Sequence, residues 1–239
     1  MILAETDTTI AEAARRAAAG SGHCWILAGF QTAGRGRRGR PWVSPPGNFH
    51  ATLLMRPVGG PSQAALRSFI ASLALRDALG ALTGVPEVFA LKWPNDVLLN
   101  GGKVSGILLE SLGAQGGVDH LAVGIGVNLI AAPAPDQVEP GAVPPVSVLA
   151  ETGCRIAPET LLSHLAAAFA GYEATFAARG FAPIRAAWLA HAARIGEPVI
   201  ARTGTTTRHG IFDTIDDTGA LILRTPKGLE TISAAEIHF

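Results

Sequence analysis

Residues 90–110, ALKWPNDVLLNGGKVSGILLE, predict three strands joined by two turns. The apolar run at 88–91 is typical of a short strand and leads into Lys92-Trp93-Pro94-Asn95-Asp96, where Pro94 pushes the preceding residue into an extended conformation. The runs at 97–99 and 104–110 flank Asn100-Gly101-Gly102, residue types that tolerate the positive φ of a tight hairpin turn. The stretch therefore predicts an antiparallel hairpin that follows a rigid, polar turn.

The segments on either side predict further strands and helices in uneven alternation. Asp7, Thr8 and Thr9 are typical of a helix start, with Glu12 at capping-box distance from Thr9, and this helix should end at Gly20. Strands are predicted at 24–30, 49–55 and 121–129, helices at 63–82, 158–178 and 182–192, and long loops at 32–47 and 131–146. These elements indicate an α+β fold, a mixed sheet with helices packed on it.

The pattern changes after Gly196. Short β-like runs at 199–202, 210–215, 220–224 and 229–232 are separated by turns rich in Thr, Asp and Gly. They predict a small all-β domain. We therefore divide the chain into residues 1–194 and 195–239.

The composition indicates a folded, cytoplasmic protein. The chain has 239 residues, of which 48% are hydrophobic and 16% charged, so it can bury a sizeable core. It contains no apolar run long enough to cross a membrane, and its N-terminus lacks the apolar core of a signal peptide. Two cysteines make neither a metal-binding spacing nor a disulfide framework, and Cys24, inside the run HCWILAGF, should be a small buried residue.

Positive charge is concentrated in the first third of a chain that is neutral overall. No Asp or Glu occurs between Ala13 and Arg76, whereas that stretch holds nine arginines, which favours an anionic ligand such as phosphate. Four of these fall in helical patterns and should be ordinary solvated surface: Arg15, Arg16, Arg67 and Arg76. Lysine occurs only at 92, 103 and 227, which singles out Lys92 and Lys103 as positions where an ammonium is needed.

A glycine- and arginine-rich loop at 31–42 is the strongest candidate site. Its glycines at 34, 36 and 39 match a dinucleotide fingerprint, but Pro41 and further prolines follow where that motif must open a helix. We expect the glycines to wrap a ligand and the arginines to grip phosphate or carboxylate. Trp42 offers a face for adenine or packs in the core, and both alternatives stay open. Nucleic-acid binding is disfavoured because the arginine run is short and the chain is neutral.

Two further segments are candidates for ligand contact. Asn95 and Asp96 can offer oxygens to magnesium or to an amine, and Lys103 can meet a phosphate although its surroundings do not form a P-loop. The glycines of Gly124-Ile125-Gly126-Val127-Asn128-Leu129 indicate close approach of either a ligand or a helix. No nucleophile is supported, which fits nucleotide-dependent activation of a carboxylate.

Four motifs together resemble those of bacterial biotin protein ligases: GRGRRGRPW at 34–42, KWPND at 92–96, KVSGIL at 103–108 and GIGVNL at 124–129. The resemblance runs from about Asp7 to the C-terminus. It implies a mixed-sheet catalytic domain of the biotin/lipoate ligase type, followed by a small SH3-like β-barrel domain. Many relatives carry an N-terminal DNA-binding winged helix; this chain begins at the catalytic domain, so ligase activity without DNA binding is expected.

The resemblance also implies roles for individual residues. Lys103, Arg37 and Asp96 would be catalytic, with Asp96 also a magnesium ligand. The residues implied for biotin are Thr8, Thr9, Ile10, Gln31, Arg35, Gly36, Arg37, Lys103 and Gly106. Those implied for ATP are Arg37, Arg40, Trp42, Asn95, Lys103 and Asn128. Two departures from the family pattern are Ile10, which stands where the family has an asparagine, and the alanine before Glu236, where relatives usually have glycine.

The implied reaction has two steps. The biotin carboxylate attacks the α-phosphorus of ATP, in the presence of Mg²⁺, to give biotinyl-5′-AMP and pyrophosphate. A lysine of a biotin carboxyl carrier protein domain then takes the biotinyl group and AMP is released. Two alternatives are a ligase for lipoate or another carboxylate and a non-catalytic nucleotide-binding module. The oligomeric state is left open, with a homodimer as one alternative.

Overall fold

A computed structural model of the chain describes residues 1–113, 118–134, 137–139, 141–203 and 206–239, so residues 135, 136 and 140 of the predicted 131–146 loop lie outside it. Its larger sheet has seven strands in the order β1-β2-β3-β7-β6-β5-β4. The strands are β1 (Ile2–Thr6), β2 (Cys24–Gln31), β3 (Phe49–Met55), β4 (Phe89–Lys92), β5 (Asp96–Leu99), β6 (Gly102–Leu112) and β7 (His120–Val127). Strands β1 and β2 are parallel and the other paired neighbours antiparallel, which confirms the predicted mixed sheet.

Helices cover both faces of this sheet. On one face α1 (Thr9–Ala18) packs Ile10 and Ala13 against β2, β3 and β7. The opposite face carries the main core, built with α2 (Pro61–Ala65), α3 (Arg67–Thr83), α5 (Pro158–Arg179) and α6 (Phe181–Leu189), whereas α4 (Val148–Thr152) follows the 131–146 segment. The cap of α1 is Thr8, whose side chain accepts from the Ala11 amide at 2.9 Å. The predicted pairing of Thr9 with Glu12 is therefore wrong by one position.

Three expectations about burial are wrong, and one of them is Arg76, which was predicted to be solvated but has a side chain only 12% exposed. Arg67, predicted to be solvated, is 1% exposed because Glu173 pairs with its guanidinium at 2.6 Å and the ring of Phe176 lies 4.5 Å from it. Such a pair can be buried because both its charge and its donors are satisfied. Cys24, predicted to be buried, is half-buried near one end of β2. Arg15 and Arg16 do lie at the surface.

The β structure expected after Gly196 is confirmed as a five-stranded antiparallel sheet in the order β11-β10-β9-β8-β12. Its strands are β8 (Pro198–Thr203), β9 (Thr206–Ile215), β10 (Leu221–Thr225), β11 (Gly228–Ile232) and β12 (Glu236–His238). The indole N–H of Trp93 donates to the Gly219 carbonyl at 2.9 Å, and a Cβ at Gly219 would lie only 2.8 Å from Phe69 of α3. These contacts hold the second sheet against the larger one and bring β12 to the loop at 32–47.

Candidate functional site

A cavity of about 320 Å³ lies between the start of α1, the loop at 32–47, strands β5 to β7 and strand β12. Every residue for which the resemblance implies a role lines it: Thr8, Thr9, Ile10, Gln31, Arg35, Gly36, Arg37, Arg40, Trp42, Asn95, Asp96, Lys103, Gly106 and Asn128. Of the three loop glycines expected to wrap a ligand, Gly36 lines the cavity, whereas Gly34 and Gly39 do not. The structure thus brings together residues separated by up to 120 positions. The particular ligand that each residue contacts stays a prediction.

A hydrogen-bonded group of neutral side chains forms one end of the cavity. The Thr9 amide donates to Gln31 Oε1 at 2.9 Å, and the Gln31 amide group donates to Ser44 Oγ at 3.2 Å. Behind them the Thr52 hydroxyl donates to Thr9 Oγ1 at 2.8 Å. The connection fixes the amide of Gln31 between α1 and the loop. This end can offer hydrogen bonds to an uncharged polar ligand group without burying a charge.

The floor of the cavity is made by two glycines of β7, and they resolve the alternatives left open for this strand. A Cβ on Gly124 would lie 2.5 Å from Cδ1 of Ile10, so the lack of a side chain at this position leaves room for helix α1. A Cβ on Gly126 would lie 2.5 Å from the indole of Trp42, so this glycine admits the loop. Trp42 therefore packs against the sheet at Gly126, is half-buried and also lines the cavity.

The arginines of the loop pair with residues from several other parts of the chain. Arg35 lies 3.1 Å from Glu110 of β6, and Arg37 donates to the Asn95 side-chain oxygen at 3.2 Å. Arg40 makes a two-pronged contact with Glu236 of β12 at 2.6 and 2.8 Å. The hydrogen bonds from Arg40 lower the pKa of Glu236 to about 2. Burial lowers the pKa of Arg37, although its guanidinium stays charged at neutral pH.

Two ammonium groups share one buried carboxylate at the other end of the cavity. Lys103 Nζ lies 2.7 Å from one oxygen of Asp96, and Lys92 Nζ lies 3.5 Å from the other. Burial by itself would raise the pKa of Asp96, but the charges of Lys103 and Lys92 outweigh it and the pKa lies below its usual value. Burial lowers the pKa of Lys92. The group carries a net positive charge in a half-enclosed site, which suits a phosphate or carboxylate.

Asn128 and the backbone of Lys103 are held by the segment that follows β7. The Lys103 amide donates to the Pro144 carbonyl at 2.8 Å, and Asn128 Nδ2 donates to the Val146 carbonyl at 3.1 Å. Among the described residues no donor reaches the buried Asn128 Oδ1. This oxygen is therefore an acceptor that a bound ligand can use, because buried acceptors are normally satisfied.

Several lining residues escape the sequence analysis. Glu236 and His238 reach the cavity from β12, about 200 positions from the loop, and Glu139 pairs with Arg40 at 2.7 Å. Leu108 of β6 adds an apolar wall. Lys92 was noticed for its rarity but not assigned to the site. The sequence signal that could have placed it there is the pair of opposite charges, Lys92 and Asp96, on the two sides of one short turn.

The cavity thus joins a neutral, hydrogen-bonding end to a cationic end. Such a cavity suits a ligand that has an uncharged polar group at one end and an anionic group at the other. Two family models match the chain. The model of the biotin/lipoate A/B protein ligase family matches residues 4–128, and that of the biotin protein ligase C-terminal domain matches residues 195–239. The chain belongs to the biotin/lipoate A/B protein ligase family.

Individual relatives agree with this family membership. The chain is 61% identical to a biotin–[acetyl-CoA-carboxylase] ligase of Paracoccus denitrificans, over 100% of this chain and 99% of that protein. It is 32% identical to the bifunctional ligase/repressor BirA of Bacillus subtilis, over 89% of this chain and 65% of BirA. The biotin protein ligase of Aquifex aeolicus, solved with biotin and ATP, aligns with a TM-score of 0.85 at 26% identity, covering 99% of this chain and 96% of that one.

The comparisons confirm the resemblance and the fold class expected from the sequence. They concern whole chains, so the roles of single residues stay predictions. Within the described part of this ligase-family chain, no helix is long and apolar enough to cross a membrane.

Proposed function

We propose that this chain is a biotin–[acetyl-CoA-carboxylase] ligase, which activates biotin with ATP and transfers it to a lysine of a biotin carboxyl carrier protein domain. The Paracoccus relative bears that name and matches the chain along its whole length. The observation that carries the proposal is the single cavity in which a neutral polar end and a cationic end meet at Lys103.

The two ends of the cavity suit the two substrates. Thr8, Thr9 and Gln31 offer hydrogen-bond donors and acceptors to the ureido head of biotin. Ile10 and Gly124 would lie beside its apolar body. Trp42 and Asn128 suit a nucleotide base, through a flat face and an unpaired acceptor respectively. The biotin carboxylate and the α-phosphate would then meet near Lys103.

The first step forms a bond between a biotin carboxylate oxygen and the α-phosphorus of ATP while the bond to pyrophosphate breaks. Negative charge gathers on the phosphoryl oxygens in the transition state, and Arg37 and Lys103 are the cations that would stabilise it. In the second step the uncharged amine of the acceptor lysine attacks the biotinyl carbonyl. An amide forms, AMP leaves, and the amine loses a proton.

Magnesium enters this proposal with ATP. Asp96, the residue expected to hold the ion, already faces two ammonium groups through its two oxygens. The described residues contain no group of three or more His, Cys, Asp or Glu side chains that could hold a metal. A protein-held magnesium ion at Asp96 does not fit this donor set, so no step is assigned to one.

The proposal has two further parts. Residues 1–194 would form the catalytic domain and residues 195–239 a separate C-terminal domain, supported by the family match at 195–239.

The reaction would take place in the cytoplasm, which is consistent with two free cysteines. A homodimer remains an alternative to a monomer, and light scattering at several concentrations separates them.

The test is incubation with ATP, Mg²⁺ and biotin, followed by mass spectrometry for biotinyl-5′-AMP and by biotin-dependent pyrophosphate exchange. The proposal predicts both signals, and transfer of biotin to a carrier domain. Exchange that depends on lipoate instead would identify the alternative ligase. Nucleotide binding without any exchange would identify a non-catalytic module.

A further inference from the structure

Lys92 is the one lining lysine to which neither the resemblance nor the proposed reaction gives a role. It is 6% exposed and ends β4, directly opposite Asp96 of β5 in the antiparallel ladder. Its ammonium faces Asp96 at 3.5 Å, and the ring of Phe239 lies 5.8 Å from it. A buried ammonium is costly unless it is paired, so its position calls for an explanation in terms of Asp96.

Lys103 differs from Lys92 in its freedom to move. Its side chain is 33% exposed, and it enters β6 at the point where the register between β5 and β6 shifts. Its Nζ lies beside Gly106, and both residues line the cavity. Asp96 therefore faces one lysine held inside the protein and one that can reach the cavity.

This difference matters when an anionic ligand arrives. If Lys103 turns from Asp96 to a phosphate or carboxylate, Asp96 is left as a buried negative charge, which is strongly unfavourable without another partner. Among the described residues, Lys92 is the other cation within 4 Å of Asp96. A carboxylate that keeps one partner can release the other at a lower cost than a carboxylate that has only one.

We propose that Lys92 is a positioning residue that holds the charge of Asp96 and so frees Lys103 to bind the anionic ligand. Lys92 then acts through Asp96 without touching the ligand. The catalytic part of this inference rests on the proposed function, whereas the release of Lys103 from Asp96 does not. Without Lys92, the carboxylate should hold Lys103 more tightly and make it less available.

The release can be measured without any assumption about the reaction. The chain has only three lysines, so labelling by acetic anhydride at Lys103 can be followed by mass spectrometry with Lys227, in an exposed turn, as the internal reference. Lys92→Met should slow the labelling of Lys103 roughly 3- to 10-fold, since Lys103 would then be the one lysine left to pair with the buried Asp96. In the Asp96→Asn background, Lys92→Met should leave the labelling unchanged.

Pyrophosphate exchange with biotin and ATP then tests the consequence for catalysis. Lys92→Met should lower the exchange rate roughly 10- to 100-fold at saturating ATP, and the same change in the Asp96→Asn background should lower it less than about 3-fold. Lys92→Arg should retain most of the rate because the charge is kept. Lys227→Met, which replaces an exposed lysine far from the cavity, is the matched control, and thermal melts check that each variant folds.

Each result decides between distinct explanations. An equal loss of exchange in both backgrounds would mean that Lys92 acts directly on the ligand, and the proposal would be wrong. Unchanged labelling of Lys103 in Lys92→Met would also overturn it. If Lys92→Met is unfolded, the comparison of Asp96→Asn with the double variant, and of Lys92→Arg with the unmodified chain, still decides. If the unmodified chain does not catalyse exchange, the proposed function fails while the labelling result still tests the release.

Discussion

Replacing Lys103 by alanine should abolish most adenylate formation while leaving the fold intact. Its ammonium lies at the junction of the neutral and cationic ends of the cavity, 2.7 Å from Asp96. The reaction brings a carboxylate and a triphosphate together at this point, and a fixed positive charge is worth most when negative charge develops in the transition state. We therefore expect the loss to fall mainly on kcat.

The expected sizes of the two effects differ enough to be separated. Loss of one charge-stabilising group typically lowers the rate roughly 100- to 1000-fold, equivalent to about 2.7–4 kcal/mol. Stability should change much less, because the Lys103 side chain is one-third exposed and Asp96 keeps Lys92 as a partner. A loss of about 1 kcal/mol would lower the melting temperature by roughly 2–4 °C in a chain of this size.

The assay is biotin-dependent pyrophosphate exchange beside a thermal melt, with Lys227→Ala as a control for removal of an exposed lysine. Lys227→Ala should have native exchange and a native melt. A Lys103→Ala variant with near-native exchange would refute the assignment of Lys103 to the reacting groups. A variant that loses activity only because it melts far below the unmodified chain would show that Lys103 acts on stability and not on catalysis.

Three other predictions concern the parts that surround Lys103. Residues 32–47 should exchange amide hydrogens more slowly when biotin is added, because a bound ligand would contact this glycine-rich loop, which lines the cavity; equal protection would contradict this. Glu236→Gln should destabilise the protein at neutral pH because the ion pair between Glu236 and Arg40 is lost. Since the pKa of Glu236 is lowered to about 2, the difference in melting temperature should be full above pH 4.5 and vanish as the pH falls towards 2. Gly126→Ala should displace Trp42 and weaken ATP binding more than biotin binding, measured by calorimetry, and equal weakening would count against the nucleotide role of Trp42.

The elements that could be predicted from the sequence are those with local signals. Asn100-Gly101-Gly102 marks its hairpin through the backbone conformations that only a few residue types adopt, and Asn100 and Gly101 do have positive φ. The apolar run of β3 is buried along its whole length and was located to the residue. By contrast β1 was missed, because this edge strand is largely exposed and its apolar run ends after only four residues, at Ala4.

The features that could not be predicted depend on partners far away in the chain. Arg67 looks like a surface residue of α3 until Glu173 and Phe176 of α5 are known to cover it. Gly124 and Gly126 look equivalent in the sequence, yet one admits Ile10 and the other Trp42. The motifs identified the lining of the cavity, whereas its long-range ion pairs became evident only from the fold.

These ion pairs suggest how the ligand's charge is used. In the structure three cations that line the cavity are already paired with carboxylates: Arg35 with Glu110, Arg40 with Glu236, and Lys103 with Asp96. Arg37 instead donates to the neutral side chain of Asn95. At the three paired cations, binding of an anion exchanges one charge contact for another. The net gain in affinity is smaller than the number of cations suggests, because each released carboxylate must be solvated or paired again. Asp96 is the partner for which solvation is unavailable, since it is buried, and this is the position at which the chain supplies a second lysine.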